Sequence, residues 1–334
     1  MHTCKWIFSS TLIPFIVYCL CLLTGTPCHA DPLFPNPVYP VGSAPYFVTT
    51  ADLNGDGHPD LLTANFYGGS SSDVSVLLGD GKGTFAPQIR SEAGEGPNWV
   101  AVGDLNRDSK MDLAVANWSS GDVSILLGNG DGTFRPQTRV PTGSVAFAVG
   151  MADFNSDGLL DLAVSNNGSG YISIHLGNGD GSFLSPTYLY GPTRPAGLVA
   201  VDVNRDGRAD LAVTDDRLGT VTVFLSQGDG SFTDTGSHIV GSFPESLVAI
   251  DINGDGLVDL AVPNAGSDDV SILTGDGTGA FALATTVPVG AFPLSVAVGD
   301  FTADGVPDIV TANANHYNYL GGDLSLGAGN GDGT

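Results

Sequence analysis

From about residue 45 onward the chain alternates short apolar runs with glycine-rich polar stretches, and one order of runs returns first after 52 residues and then every 49. A proline (Pro45, Pro97, Pro195, Pro244 or Pro293; Ala146 once) opens an apolar run such as 100–103. An acidic loop follows, and a second run starts directly after it: 61–64, 113–116, 162–165 and 211–214. A polar Gly/Ser/Asn stretch leads to a third run, 123–127, which begins with period-two alternation. Runs this short, bounded by turn residues, are strands rather than helices. The turn Gly128-Asn129-Gly130-Asp131-Gly132-Thr133-Phe134 closes the third strand, and a more polar fourth strand ends near the next proline. Four short antiparallel strands in a unit of about 40–50 residues predict an all-β chain, a β-propeller of four-stranded blades. Six units predict six blades, or seven if the array continues beyond residue 334.

The acidic loop is the most regular part of the unit. Its first copy reads Asp52-Leu53-Asn54-Gly55-Asp56-Gly57-His58-Pro59-Asp60, and five others begin at Asp104, Asp153, Asp202, Asp251 and Asp300. Oxygen-bearing side chains stand at positions 1, 3, 5 and 9, with Gly usually at 6. Gly there permits the positive φ of a sharp turn and frees the position-7 carbonyl to face inward. Three carboxylates, an amide oxygen and a carbonyl form a hard all-oxygen donor set, which suits Ca²⁺ rather than Zn²⁺ or copper. An EF-hand would need a bidentate Glu at position 12 and flanking helices. Position 12 here is Thr63, Val115, Val164, Val213, Val262 or Thr311, each inside the second strand.

Composition narrows the partners. The formal net charge of −25 argues against nucleic acid and anionic membrane. Half of the 36 acidic residues lie at positions 1, 5 and 9 of the six loops, so metal sites account for much of the acidity. All four cysteines fall at 4, 19, 21 and 28. There Lys5, an apolar run over 12–23 and the small residues before a cut after Ala30 make a signal-peptide pattern, residues 1–30. An uncleaved anchor is the alternative. The mature chain, 31–334, would then be exported without cysteine, with calcium in the stabilising role that disulfides often fill.

The D-x-N-x-D-G-x-x-D loops, the L-G-N-G-D-G-T-F turns and the strand order resemble the FG-GAP/VCBS repeat family, which includes the propeller of integrin α subunits. The resemblance covers about residues 34–334. It implies up to six Ca²⁺ ions, one per loop. The implied ligands are Asp52, Asn54, Asp56, His58 and Asp60 in the first loop, and Asp104, Asn106, Asp108, Lys110 and Asp112 in the second. They continue as Asp153, Asn155, Asp157, Leu159 and Asp161, then Asp202, Asn204, Asp206, Arg208 and Asp210. The last two sets are Asp251, Asn253, Asp255, Leu257 and Asp259, and Asp300, Thr302, Asp304, Val306 and Asp308. Position 7 contributes its carbonyl. Ser109 replaces Gly at position 6 of the second loop, and Thr302 replaces Asn at position 3 of the sixth, so these two sites depart from the pattern.

No catalytic constellation stands out. Of the histidines beyond the leader, His58 lies in a metal loop, His175 replaces the Leu126 of a neighbouring unit, His238 lies in a fourth strand and His316 in the loop 313–319. Loops before the first strand and after the second share the face opposite the metal loops. They carry Phe66, Tyr67, Trp99, Trp118, Arg194, Arg217, His316, Tyr317 and Tyr319, which suit a sugar or a protein loop. The expectation is a secreted, extracellular, periplasmic or cell-surface monomer that binds a protein or glycan without catalysis. The alternatives are a polysaccharide lyase-like enzyme and a lectin. A lectin with one pocket per blade would repeat one aromatic, yet the fifth residue before the loop reads Phe47, Trp99, Ala148, Gly197, Ser246 and Ser295.

Phase gives one more expectation. Phe85, Phe134, Phe183, Phe232 and Phe281 end the glycine turns, 49 residues apart, and packing between blades is their expected role. Phe34 occupies the same phase ahead of Asp52, so residues 34–41 read as a fourth strand that completes the sixth blade beside 323–326. Such closure would also remove an exposed sheet edge.

Overall fold

The computed structural model describes residues 38–66, 72–314 and 322–334. Every helix or strand among them is a β-strand, and the strands pair in sequence order into six antiparallel sheets. The first contains Pro45–Ala51, Asp60–Asn65, Asp73–Leu77 and Ile89–Glu92. Four more sheets repeat that order, and the sixth has Pro293–Gly299, Asp308–Asn313 and Asp323–Gly327 as its described strands. The sheets are the blades of a six-bladed β-propeller. Residues 1–37 lie outside the described residues, as do Tyr67, His316, Tyr317 and Tyr319. No described helix is long and apolar enough to cross a membrane.

The second strand of each blade is covered on both faces, by its neighbours in the ring. Leu113, Ala114, Val115 and Ala116 are wholly buried, as are Leu162, Ala163 and Val164. This explains why the second runs are continuously apolar while fourth strands such as Thr138–Pro141 are polar and exposed. Truncating one of these leucines to alanine would cost about 2–5 kcal/mol.

The glycine turns lock each blade to the one before. A Cβ on Gly132, Gly181, Gly230 or Gly279 would collide with Leu78, Leu127, Leu176 or Leu225 of the preceding blade. The turn phenylalanines pack across the same seams: Phe232 meets Phe154 of the third blade with ring centroids 5.4 Å apart. His238, on the fourth strand Phe232–Ile239, lies against Phe281 of the fifth blade at 5.8 Å.

At the seam between the sixth and first blades, Tyr46 packs with Leu294, Phe292 and Ala314. The expected pairing of 34–41 with Asp323–Gly327 falls partly outside the described residues, and 38–41 form no strand. Tyr39 is nevertheless placed where the phase puts it, on Phe85, as His238 is on Phe281.

Candidate functional site

Each acidic loop joins the first strand of its blade to the second, and one hydrogen-bond scheme recurs. Asp52 accepts the amides of Gly55 at 2.8 Å and Gly57 at 2.8 Å. Asn54 accepts the amide of Asp56, and Asp56 accepts that of His58 at 2.8 Å. The loop is thus wound by its own side chains, with position 5 at the surface. Position 9 differs. Asp60, Asp112, Asp161, Asp210, Asp259 and Asp308 are fully buried. One oxygen of Asp60 accepts the Leu53 amide at 2.8 Å, and the other accepts the Gly79 amide at the end of the third strand at 2.8 Å. Asp161 does the same with Phe154 and Gly177. These aspartates tie the loop to the sheet, a role the spacing alone did not show.

The donor atoms at positions 1, 3, 5 and 9 are all oxygen, the chemistry that a hard divalent cation prefers. Burial pushes the carboxyl groups of Asp60, Asp112, Asp161 and Asp210 up, and the charges at positions 5 and 1 push the same way. Negative charge is therefore crowded at one end of every such loop, where a cation would offset it. Among the described residues no three His, Cys, Asp or Glu side chains are gathered as they would be around an ion, because loop and strand amides hold the carboxylates apart. In the sixth loop Asp308 is also buried, but the amides of Gly329, Thr302 and Phe301 outweigh that effect and hold its carboxyl down.

The side chains at position 7 have a task of their own. His58, Lys110, Leu159, Arg208, Leu257 and Val306 lie over Gly81, Gly130, Gly179, Gly228, Gly277 and Gly331 of the adjoining turn. Arg208 also pairs with Asp206 at 2.6 Å, and Arg135 approaches Asp108 at 3.8 Å. Position 6 has the expected positive φ, with Ser109 at 64° where the other loops have Gly. Position 4 is left-handed as well, at Gly55, Arg107, Ser156, Arg205, Gly254 and Ala303. Arg107 reaches the Gly158 carbonyl of the next loop at 2.9 Å, and Arg205 reaches that of Gly256 in the same way.

The opposite face holds a funnel of about 780 Å³. Two ring positions build most of it. Just after the opening proline, the first strand carries one residue more than its partner: Pro45 pairs with Asn65 but Phe47 with Ala64. The extra residue of this β-bulge leaves the ladder and can turn its side chain to the mouth. Tyr46, Asn98 and Phe147 stand there in the first three blades, and Glu245 follows Pro244 in the fifth. The second position follows the second strand and carries Phe66, Trp118, Asn167 and Asp216. Its amide bonds back to the residue before the proline, as Trp118 to Gly96 at 2.7 Å and Asp216 to Arg194 at 3.2 Å.

Of the residues expected on this face, Phe66, Trp118, Arg194 and Arg217 converge on the funnel. Trp99 does not. It is buried and stacks on Phe47 with centroids 4.4 Å apart. The funnel has two unlike walls. Tyr46, Phe66 and Trp118 form an arc with successive centroids 5.5 and 5.8 Å apart. Across from it, Arg194 pairs with Asp216 at 3.1 Å, and Asn167 donates to the same oxygen at 3.2 Å. Glu245 takes a long hydrogen bond from the Tyr46 hydroxyl, 3.4 Å. Burial, then the charge of Asp216, pushes its carboxyl up to about 7.

The family model described as an FG-GAP-like repeat matches residues 52–115, 108–164, 153–213, 202–262 and 251–311. No curated protein matches the chain by sequence. Among solved structures, a protein from Lactobacillus plantarum is similar at 17% identity and a TM-score of 0.66, covering 86% of this chain and 82% of that one. The periplasmic gluconolactonase of Pseudomonas aeruginosa aligns at 18% identity and 0.59, covering 87% and 97%. An Agrocybe aegerita lectin specific for non-reducing terminal N-acetylglucosamine aligns at 19% and 0.53, covering 85% and 80%. Identities this low speak for the fold alone.

Proposed function

The chain belongs to the FG-GAP-like repeat family, and from that premise we propose that it is a secreted, calcium-stabilised propeller that binds a protein or glycan at its funnel without catalysis. The observation that carries this reading is the convergence of an aromatic arc and a charged wall on one mouth. Aromatic faces pack well against sugar rings and protein side chains, and fixed polar groups orient what lies on them. The leader over 1–30 supports export. In the loops, the side chains at positions 1, 3, 5 and 9 and the carbonyl at 7 would hold Ca²⁺, which supplies local charge balance and rigidity.

A glycan array and a panel of extracellular proteins, probed with the wild type and with Trp118→Ala, test the reading. Binding that disappears in the variant at unchanged melting temperature supports it. Binding that survives the variant removes the funnel from the account. One observation favours an enzyme instead: Glu245, with its carboxyl near neutrality beside Asp216, has the poise of an acid–base group. Turnover of uronic-acid polymers or sugar lactones that is lost in Glu245→Gln would establish that reading.

A further inference from the structure

The hydrogen-bonding state of the funnel restricts what it can bind. Asn98 already donates to the Phe147 carbonyl at 2.8 Å. Asn167 donates to Asp216 and lies 3.4 Å from the Arg194 guanidinium through its oxygen. Acceptor capacity remains at the carboxylates. Asp216 is 6% exposed, and its Oδ1 has no partner among the described residues. A buried carboxylate oxygen without a donor is costly, and such groups mark places where a partner arrives from outside. Glu245, beside it on the next blade, takes a long hydrogen bond from Tyr46. Asp215 adjoins Asp216 and holds the Thr193 amide and the Arg194 amide. The Arg194 guanidinium pairs with Asp216 while Asp215 holds its backbone amide, with Arg217 at the exposed rim.

We propose that the funnel binds a primary ammonium group carried on a sugar ring, an amino sugar of the glucosamine type, with the nitrogen at Asp216 and Glu245 and the ring against the Tyr46–Phe66–Trp118 arc. This rests on the reading of the funnel as the binding site and names its ligand class. An ammonium has three donors and no acceptor, so it complements the unpartnered carboxylate oxygen of Asp216. The facing rings attract a cation by their quadrupoles. A neutral sugar would meet the same oxygen only with a hydroxyl, an uncharged and weaker donor.

The test is calorimetric and NMR titration of the intact chain in calcium with three probes on one ring: glucosamine, N-acetylglucosamine and glucose. The expected order places glucosamine at least tenfold tighter than either neutral sugar. Asp216→Asn and Glu245→Gln should each weaken it at least tenfold and leave the neutral sugars unchanged. Because Asp216 also anchors Arg194, Glu245→Gln is the variant that reads charge with least disturbance of the wall, and melting curves accompany both. Equal affinity for the three sugars, or no binding of glucosamine, overturns the proposal. So does a lysine-containing peptide that binds tenfold tighter than glucosamine. If an array ligand is lost with Trp118→Ala while the amine makes no difference, the funnel remains the binding site and only its assignment to an amino sugar falls.

Discussion

The Tyr39 ring meets Phe85 edge-on with centroids 5.3 Å apart, and its hydroxyl accepts the Phe85 amide at 3.2 Å. His238 and Phe281 repeat the ring contact four blades on, with His238 supplied by the fourth strand of the preceding blade. Tyr39 therefore does for the first blade what a sixth-blade residue would do. Tyr39→Phe should cost about 1 kcal/mol for the lost hydrogen bond, and Tyr39→Ala about 2 kcal/mol or more in all. Thermal melts of both variants check this. Unchanged melts would mean that the N-terminal segment contributes nothing to the ring.

Calcium should matter to the whole fold. Extracellular modules bind it with Kd of roughly 10⁻⁴–10⁻³ M. At tenfold excess each site adds about 1.4 kcal/mol by mass action, so six independent sites would add about 8 kcal/mol. Melting in calcium against melting in EDTA, with the metal content measured, is the check. Coincident curves would rule out a structural role for the ion.

Two aspartates of one loop should behave differently. Asp259 is buried and accepts the Ile252 amide at 3.0 Å and the Gly275 amide at 2.9 Å. Asp255 is exposed and accepts only nearby groups of its own loop, Leu257 and Asn253. Asp259→Ala should cost about 2–5 kcal/mol even in EDTA, because two buried amides lose their acceptor. Asp255→Ala should destabilise in calcium and have little effect in EDTA. Denaturant titrations of both variants in both buffers separate the two roles.

The fourth loop carries its own competitor. Arg208 holds Asp206 at 2.6 Å, where the neighbouring loops have Leu159 and Leu257 at position 7. Arg208→Leu should free that carboxylate and raise calcium affinity at this loop by up to about fivefold, the range of an exposed ion pair. Calorimetric titration of calcium into both proteins would show it in the weakest class of sites.

His175 predicts an acid limb. It is buried beside Ser173, 3.0 Å away, and burial pushes its ring down to about 4. The native state keeps it neutral while the unfolded chain takes up a proton near pH 6.5. Stability is therefore intact above pH 6.5 and falls progressively as the pH drops toward 4. The loss from this group is about 3 kcal/mol. His175→Leu restores the residue of the neighbouring blade, Leu126. The difference in stability between the two proteins should widen by that amount from pH 7 to pH 4.

Periodicity made the architecture legible, because each 49-residue unit repeats every apolar run and every turn. The acidic loops and the bridging role of Phe232 were legible for the same reason. What escaped has specific causes. Position 4 of the loops is left-handed at Arg107, Ser156, Arg205 and Ala303, none of which announces a positive φ as glycine does. The buried tie at Asp161 involves the Gly177 amide, 16 residues away, a contact that only the folded hairpin creates. Trp99, expected on the mouth, lies one residue beyond the true position at Asn98. In a regular strand that shift changes the face, and the bulge after each proline sets it here.

That bulge frees the mouth from the sheet. A residue outside the ladder has no cross-strand partner to match, and the pairing of Pro45 with Asn65 and of Phe47 with Ala64 is the same whatever stands between them. The blades hold Tyr46, Asn98, Phe147, Ala196, Glu245 and Leu294 in this socket, aromatic, aliphatic, amide and carboxyl side chains on one backbone. Recognition at the mouth, as proposed, would therefore be interchangeable part by part. A new ligand can be met by refitting single sockets while the frame that presents them stays as it is.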